Sequence, residues 1–367
     1  VVRVNEQTGI CLEQLGVPHF EERFPWIGGD LQTLRDTFIS EELEQEKGKQ
    51  ILVPIPENHS RKCGAGNLLC LLDEPISSKK ILGLVLILHG LGGSSRRQGL
   101  RRMASSFLDS GFAVLRVNLR GADPGREFAA GTYSAKCNSD LFPVISHARE
   151  ICDSLAEDLP SRKSLPLYGV GLSLGGTILL NTCLDPANSN SPCLDGLVCI
   201  SSPLDLSACS ESIERRRNTV YQRWLLWRLV RQTLADPFGI SDEERSLLLG
   251  VDINKTKKIS SIRAFDSAIT APRWGFKNVE EYYKLASPLK YLLDNHTMIP
   301  KSLFIQSFDD PWVPVYGAQI LMERVKQLGQ RKIDILLTKK GGHNGFHGLK
   351  GCWGDYLVNK WLLKNSV

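Results

Sequence analysis

The sequence predicts an α/β fold, a mostly parallel, doubly wound sheet carrying a helical insertion. Three observations predict it. Ile81-Leu-Gly-Leu-Val-Leu-Ile-Leu88 is an apolar run of the kind a strand buried on both faces shows. Around it, strand-like and helix-like segments alternate, as parallel βαβ units require. Between Pro203 and Pro300 the alternation stops, and after Pro300 it resumes.

The elements follow in order. Residues 1–75 lead into the fold. There, Phe24-Pro25-Trp26 through Phe38 mixes aromatics with a short helical pattern. Gln50 to Ile55 and Asn67 to Leu72 read as two strands joined by a polar turn. The core begins at 76, and its first apolar strand ends in His89-Gly90. Gln98 to Ser110 has helical spacing and stops at Gly111, a natural C-terminal cap. Then come a strand at Ala113 to Asn118, a helix at Val144 to Leu159 and a strand at Leu165 to Val170. A helix at Leu174 to Cys183 and a strand at Leu197 to Ile200 complete this first part, which runs to 203. Residues 204–299 form the insertion, helical in pattern and rich in Arg and Trp. The second part, 300–367, holds a strand at Ser302 to Gln306 and a helix from Ala318 to Leu328. A strand at Ile333 to Leu337 and a terminal helix from Trp353 to Leu363 close it.

Composition narrows the function classes. Of 367 residues, 42% are hydrophobic and 23% charged, which leaves no case for disorder. Lys and Arg number 45 against 40 Asp and Glu, a net charge of +5. The cations are scattered rather than striped, so no nucleic-acid partner is expected. No stretch approaches the ~18 apolar residues of a membrane span. The opening Val-Val-Arg-Val-Asn-Glu lacks signal-peptide features, and a soluble cytoplasmic protein is the expectation. The 10 cysteines contain no C-x-x-C pair and no zinc-finger spacing. They read as free thiols, with no metal or cofactor implied.

One motif carries chemistry. Gly171-Leu-Ser173-Leu-Gly175 fits G-x-S-x-G, which alone is weak, but it follows an apolar strand and opens a helix. That setting is what a nucleophile elbow requires. A phosphate-binding turn is the competing reading. It fares poorly, because Leu174 stands where the third glycine of G-x-G-x-x-G belongs. A serine hydroxyl needs a base in reach, and in this architecture an acid and then a histidine follow the serine in sequence. His296, His343 and His347 are the histidines that follow Ser173. His343 lies in Lys-Gly-Gly-His343-Asn-Gly, just past a strand end, where its flanking glycines leave the imidazole room. His347 shares the loop and competes with it. His296 precedes a strand and reads as a surface residue.

The acid should orient the imidazole and stabilise its charged form. Ser-Phe-Asp309-Asp310-Pro311 follows the strand at Ser302 to Gln306 and offers two candidates. Asp310 is favoured, and the other aspartate would cap the turn. For the oxyanion, the backbone amide after the nucleophile is that of Leu174. A second is expected from His89-Gly90-Leu91-Gly92-Gly93, and the Leu91 amide is nominated. His89 itself reads as ordering that loop rather than as the base.

These residues, in this order, resemble the α/β-hydrolase superfamily. Further segments resemble its YheT-like hydrolase family, the AB hydrolase 4 type. They are Asn118-Leu-Arg-Gly121, Gly169 to Gly176, Ser201 to Leu206, Val220-Tyr-Gln-Arg223, Ile262-Arg-Ala-Phe-Asp266, Glu281-Tyr-Tyr283 and Gly341 to Phe346. Gln32-Thr33-Leu34 fits its N-terminal segment, while Tyr133-Ser-Ala-Lys136 departs from its usual glycine. The resemblance implies a serine hydrolase cleaving carboxylic, lipid-like or short- to medium-chain acyl esters through an acyl-enzyme. Acyl transfer to an alcohol or thiol, or lipid binding without catalysis, are the alternatives.

Glu211 to Leu234 carries Arg at 215, 216, 217, 223, 228 and 231, interleaved with Val220, Trp224, Leu225, Trp227 and Leu234. One reading is a lid in peripheral contact with acyl chains or an anionic membrane. The other is a cap helix packed on the core with a solvated basic face. Both place the insertion over Ser173, where it shapes the pocket.

Overall fold

A computed structural model describes residues 5–10, 12–43, 48–57, 65–75, 80–157, 164–188, 193–250, 259–295 and 298–366. Its main sheet has nine strands. They are β1 (Asn5–Thr8), β2 (Lys49–Ile55), β3 (Gly66–Asp73), β4 (Gly83–Leu88), β5 (Phe112–Val117), β6 (Leu167–Leu172), β7 (Gly196–Ile200), β8 (Lys301–Ser307) and β9 (Ile333–Thr338). Their spatial order is β1-β9-β8-β7-β6-β4-β5-β3-β2. From β5 to β9 every neighbouring pair is parallel. β2 and β3 pair antiparallel at one end, and β1 pairs antiparallel with β9 at the other.

The apolar run at β4 is buried throughout, and its pleat explains why. Leu84, Leu86 and Leu88 enter one core layer, while Val85 and Ile87 enter the opposite one. The helices supply the matching layers. They are α1 (Gly29–Phe38), α2 (Gln98–Asp109), α3 (Asn138–Ala156), α4 (Leu174–Cys183), α5 (Leu206–Ile213), α6 (Thr219–Leu234) and α7 (Asp242–Leu249). The rest are α8 (Ile262–Phe265), α9 (Ala271–Arg273), α10 (Val279–Ala286), α11 (Leu289–Asn295), α12 (Tyr316–Gln327) and α13 (Trp353–Asn365). Phe107 of α2 and Trp361 of α13 pack on the Val85 side. Val144 of α3, Ile178 of α4 and Leu321 of α12 pack on the Leu86 side.

The segment between β7 and β8 holds α5 through α11. It has a hydrophobic cluster of its own, in which Leu225, Leu226 and Leu229 of α6 meet Ile262, Phe265 and Ile269. A π-helical turn at Asp266–Thr270 joins α8 to α9.

Two elements differ from the expectation. α3 starts at Asn138 rather than Val144 and carries Pro143 within it. Its first turn is held by a buried bidentate pair, with Arg120 donating to both oxygens of Asp140 at 2.9 and 3.0 Å. β1 was not expected at all. Asn-Glu-Gln-Thr has no apolar alternation, and an edge strand paired on one side needs none.

The eight described cysteines are free thiols. Cys11, Cys63 and His296 lie outside the described residues. Among the described residues, no helix is long and apolar enough to cross a membrane.

Candidate active site

β6 runs into α4 through Ser173, whose backbone sits at φ 54°, ψ −125°. A non-glycine residue holds such a conformation only when its surroundings enforce it. Here the Ser173 N–H donates to the Ile200 carbonyl of β7 at 2.8 Å, and its carbonyl accepts from the Gly176 N–H at 3.0 Å. The motif glycines are required by close approach. A Cβ on Gly171 would collide with the Gly176 backbone, and one on Gly175 would reach the Leu88 carbonyl oxygen at 2.5 Å.

The loops after β8 and β9 bring the partners. His343 Nε2 lies 2.9 Å from Ser173 Oγ, and His343 Nδ1 lies 2.9 Å from Asp310 Oδ2. With the carboxylate as acceptor, the proton of the neutral imidazole belongs on Nδ1, which leaves Nε2 to accept from the serine. Both side chains are withdrawn from solvent, His343 4% and Asp310 0% exposed. Asp310 takes further bonds from Gln306 Nε2 and from the Trp312 and Val313 amides, at 3.1, 2.8 and 2.9 Å. The Trp312 ring lies over the imidazole at 4.4 Å between centroids.

Asp309 points elsewhere. It accepts the Gly342 N–H at 2.9 Å and so pins the histidine loop from behind. His347 is also turned away from Ser173. Its backbone N–H donates to Gln32 Oε1 at 2.7 Å, and its ring lies 3.3 Å from Asp36. Burial outweighs that carboxylate and pulls the His347 pKa down to about 3. His89 is fully buried and holds its own loop. Nδ1 donates to the Gly90 carbonyl at 2.8 Å, while Nε2 accepts from the Leu119 N–H at 3.3 Å. Burial lowers its pKa to about 4.

The two nominated amides line the same cavity as Ser173. Leu174 is the first residue of α4, so its N–H has no acceptor within the helix. Leu91 follows Gly90, on which a Cβ would come within 2.9 Å of Ser173 Cβ, so this loop lies directly against the serine. Several supporting residues escaped the sequence reading. The Tyr133 hydroxyl accepts the Gly92 N–H at 2.7 Å and faces the Gly90 carbonyl at 3.5 Å, spanning Leu91. On α1, Thr33 Oγ1 accepts the His343 N–H at 2.8 Å, and Gln32 bonds both the N–H and the carbonyl of His347. A departure from a family glycine flagged the Tyr133 region, and Gln32-Thr33 stood out only by resemblance.

The cavity, about 320 Å³, extends from Ser173 beneath the α5–α10 region, with Leu174, Leu206, Leu225, Leu229 and Phe265 among its walls. Asp36, Asp266 and Asp355 also line it. Asp266, on the π-helical turn, accepts from the Tyr283 hydroxyl at 2.8 Å, and enclosure by protein raises its pKa to about 6. Among the described residues, no group of three His, Cys, Asp or Glu side chains could hold a metal ion.

A serine on a strained strand–helix turn, backed by histidine and aspartate from the next strand ends, defines a class of protein. A model of the alpha/beta hydrolase family matches residues 85–348, and the chain belongs to that family. It is 30% identical to human phospholipase ABHD3 over 269 residues, covering 73% of this chain and 59% of that protein. It is 31% identical to Escherichia coli K12 YheT over 201 residues, covering 54% of this chain and 55% of that protein. The fold matches the solved Pyrococcus furiosus esterase Pf2001, with TM-score 0.52 and 15% identity over 95% of this chain and 96% of that one. The chain spans about three fifths of the length of the curated phospholipase ABHD3 relatives it matches.

Proposed function

We propose that this chain is a serine hydrolase of carboxylic esters, in which Ser173 is the nucleophile, His343 the base and Asp310 the residue that orients it. The observation that carries the reading is the unbroken hydrogen-bond relay Ser173–His343–Asp310, two contacts of 2.9 Å at a strained elbow. Similarity to a phospholipase supports a lipid-like ester as the substrate, and so does the largely apolar cavity.

The steps follow from the atoms. Ser173 Oγ attacks the carbonyl carbon as its proton passes to His343 Nε2. The imidazolium is stabilised by Asp310, which three other donors hold in place. Negative charge builds on the former carbonyl oxygen, which the Leu91 and Leu174 amides receive. Collapse expels the alcohol, protonated by Nε2, and leaves an acyl-serine. Water then attacks the acyl carbon as it gives a proton to Nε2, and collapse breaks the bond to Oγ, returns that proton to Ser173 and releases the acid.

A fluorophosphonate serine probe tests this reading. Wild type should label at one site, and Ser173→Ala should lose both labelling and ester turnover while keeping its circular dichroism. Turnover that survives in Ser173→Ala removes the assignment. New ester formed with added alcohol acceptors would move the reading to acyl transfer.

The region 204–299 acts in this reading as a cap whose outer face meets an anionic lipid surface. Val220 and Trp227 are 78% and 53% exposed on α6. Arg215, Arg216, Arg217, Arg223 and Arg231 are exposed around them, with Arg231 4.7 Å over the Trp227 ring. Sedimentation with phosphatidylserine-containing vesicles should exceed that with phosphatidylcholine alone and fall with salt. Trp227→Ala with Arg223→Glu should abolish it, and equal binding by that variant would discard the surface.

A further inference from the structure

Two thiols meet at the end of α4 opposite Ser173. Cys183 is the last residue of that helix and is buried. Cys193, ten positions on, is half-buried and lies just before β7. Their sulfurs are 3.3 Å apart, in hydrogen-bond contact. Among the described cysteines only these two bond to each other.

We propose that Cys183 and Cys193 form a modification site, a dithiol that oxidises to an intramolecular disulfide by exchange with a small disulfide of the glutathione type. The two sulfurs need to close by only about 1.3 Å to reach bonding distance. Access and charge divide the roles. Cys193 has a solvent-facing side, and the Arg149 guanidinium donates to its carbonyl at 3.2 Å. The hydrogen bond from Cys183 and the nearby Arg149 charge hold the Cys193 thiol below its ordinary value. Cys183 is raised well above its own, by the bond to Cys193 first and by burial second.

The chemistry balances in two exchanges. The Cys193 thiolate attacks one sulfur of oxidised glutathione, forming a mixed disulfide and expelling one glutathione thiolate. The Cys183 sulfur, giving up its proton to solvent, then attacks Cys193 Sγ. The protein disulfide forms and the second glutathione leaves as thiolate, so the two cysteines are oxidised and one glutathione disulfide is reduced. No other described thiol has a resolving partner in contact. Cys70, Cys137, Cys152 and Cys199 are buried among apolar residues, which makes them poor thiolates.

The placement gives the link a mechanical meaning. Cys183 ends the helix that Ser173 begins, and Cys193 leads into the strand whose Ile200 carbonyl holds the Ser173 N–H. A disulfide would tie the far ends of the two elements that frame the elbow. It would restrain the unfolded chain and leave the site's geometry alone.

The test uses the reduced, folded chain incubated with oxidised glutathione, followed by intact mass and non-reducing peptide mapping. The expected result is a loss of two hydrogens, a Cys183–Cys193 linked peptide and no retained glutathione. The oxidised protein should melt at a higher temperature, and dithiothreitol should reverse this. Cys183→Ser should instead accumulate one glutathione on Cys193. Wild type that stays fully reduced, retains glutathione at Cys193 or crosslinks elsewhere overturns the proposal. The wild-type result decides the matter whether or not the variant folds, and it does not depend on ester turnover.

Discussion

Replacing Tyr133 by Phe removes one oxygen from a buried site and leaves the ring in place. The ring keeps its edge-on contact with His89, 5.6 Å between centroids, so the loop keeps its packing. What goes is the acceptor for the Gly92 N–H at 2.7 Å. The partner at 3.5 Å, the Gly90 carbonyl, is too long to count for much. An N–H left buried without an acceptor costs ~1–3 kcal/mol, partly recovered if the loop shifts to find water. That shift is the functional consequence, because Leu91 lies between the two clamped residues. Losing an oxyanion donor outright lowers kcat by ~10²–10³. Here the donor is displaced rather than deleted, so a fall of roughly 10-fold to 100-fold is expected, with KM nearly unchanged. Steady-state kinetics on a soluble short-chain ester, paired with urea unfolding, measures both quantities. Lower stability with unchanged kcat would refute a positioning role and make Tyr133 a structural residue only.

The two adjacent aspartates should separate cleanly. Asp310→Asn should lower kcat by roughly 10³–10⁴-fold, since the amide favours the wrong tautomer of His343, whereas Asp309→Asn, which loses only the anchor of Gly342, should cost under ~10-fold. Equal losses in the two variants would contradict the assignment of the acid. The buried histidines set the acid limit of stability. His89 and His347 fall from 6.5 to about 4 and about 3, so the unfolded chain binds more protons than the folded one between those values and 6.5. Their contribution is therefore complete above pH 6.5 and is lost as pH falls towards 4 and 3, by about 3 kcal/mol for His89 alone. Urea unfolding between pH 7 and pH 4 checks this, and flat stability across that range would contradict the buried neutral state.

The sequence was most informative where one residue's neighbours in the chain are also its neighbours in space. β4 could be read because each of its residues is buried, so apolar character never breaks. The elbow could be read because strand, turn and helix are consecutive. Asp309 and Asp310 could not be told apart with the same ease, since their directions depend on which one the Trp312 and Val313 amides turn to meet. The brace on His343 was hidden more deeply. Thr33 lies 310 positions away, and no periodicity announces that its hydroxyl will accept the histidine N–H. Tyr133 stood out only as a departure from a family glycine, and nothing local shows that its oxygen meets Gly92, 41 positions earlier. The start of α3 was displaced too: it begins at Asn138, ahead of Pro143, where the buried Arg120–Asp140 pair holds its first turn.

The order of strands places the groups of the candidate site along one edge of the sheet. Ser173 follows β6, Asp310 follows β8 and His343 follows β9, and β7 lies between the first of these and the other two. From β7, Ile200 holds the serine N–H through its carbonyl, and the Ser201 hydroxyl accepts the Asn344 N–H of the histidine loop at 3.1 Å. Ser173 and the His343 loop are thus registered on the end of one strand, which is held between the two core layers. The insertion departs from the same strand end a few residues later; α6 and α8 gather around Leu225 and Phe265, while Leu206, Tyr282 and Tyr283 belong to the main core. A substitution in that cluster would reach the site through Leu91 and Trp312, which pack against it, and Trp312 lies on the His343 ring. A change at Ser201 would disturb the histidine loop, whose His343 and Asn344 also line the cavity.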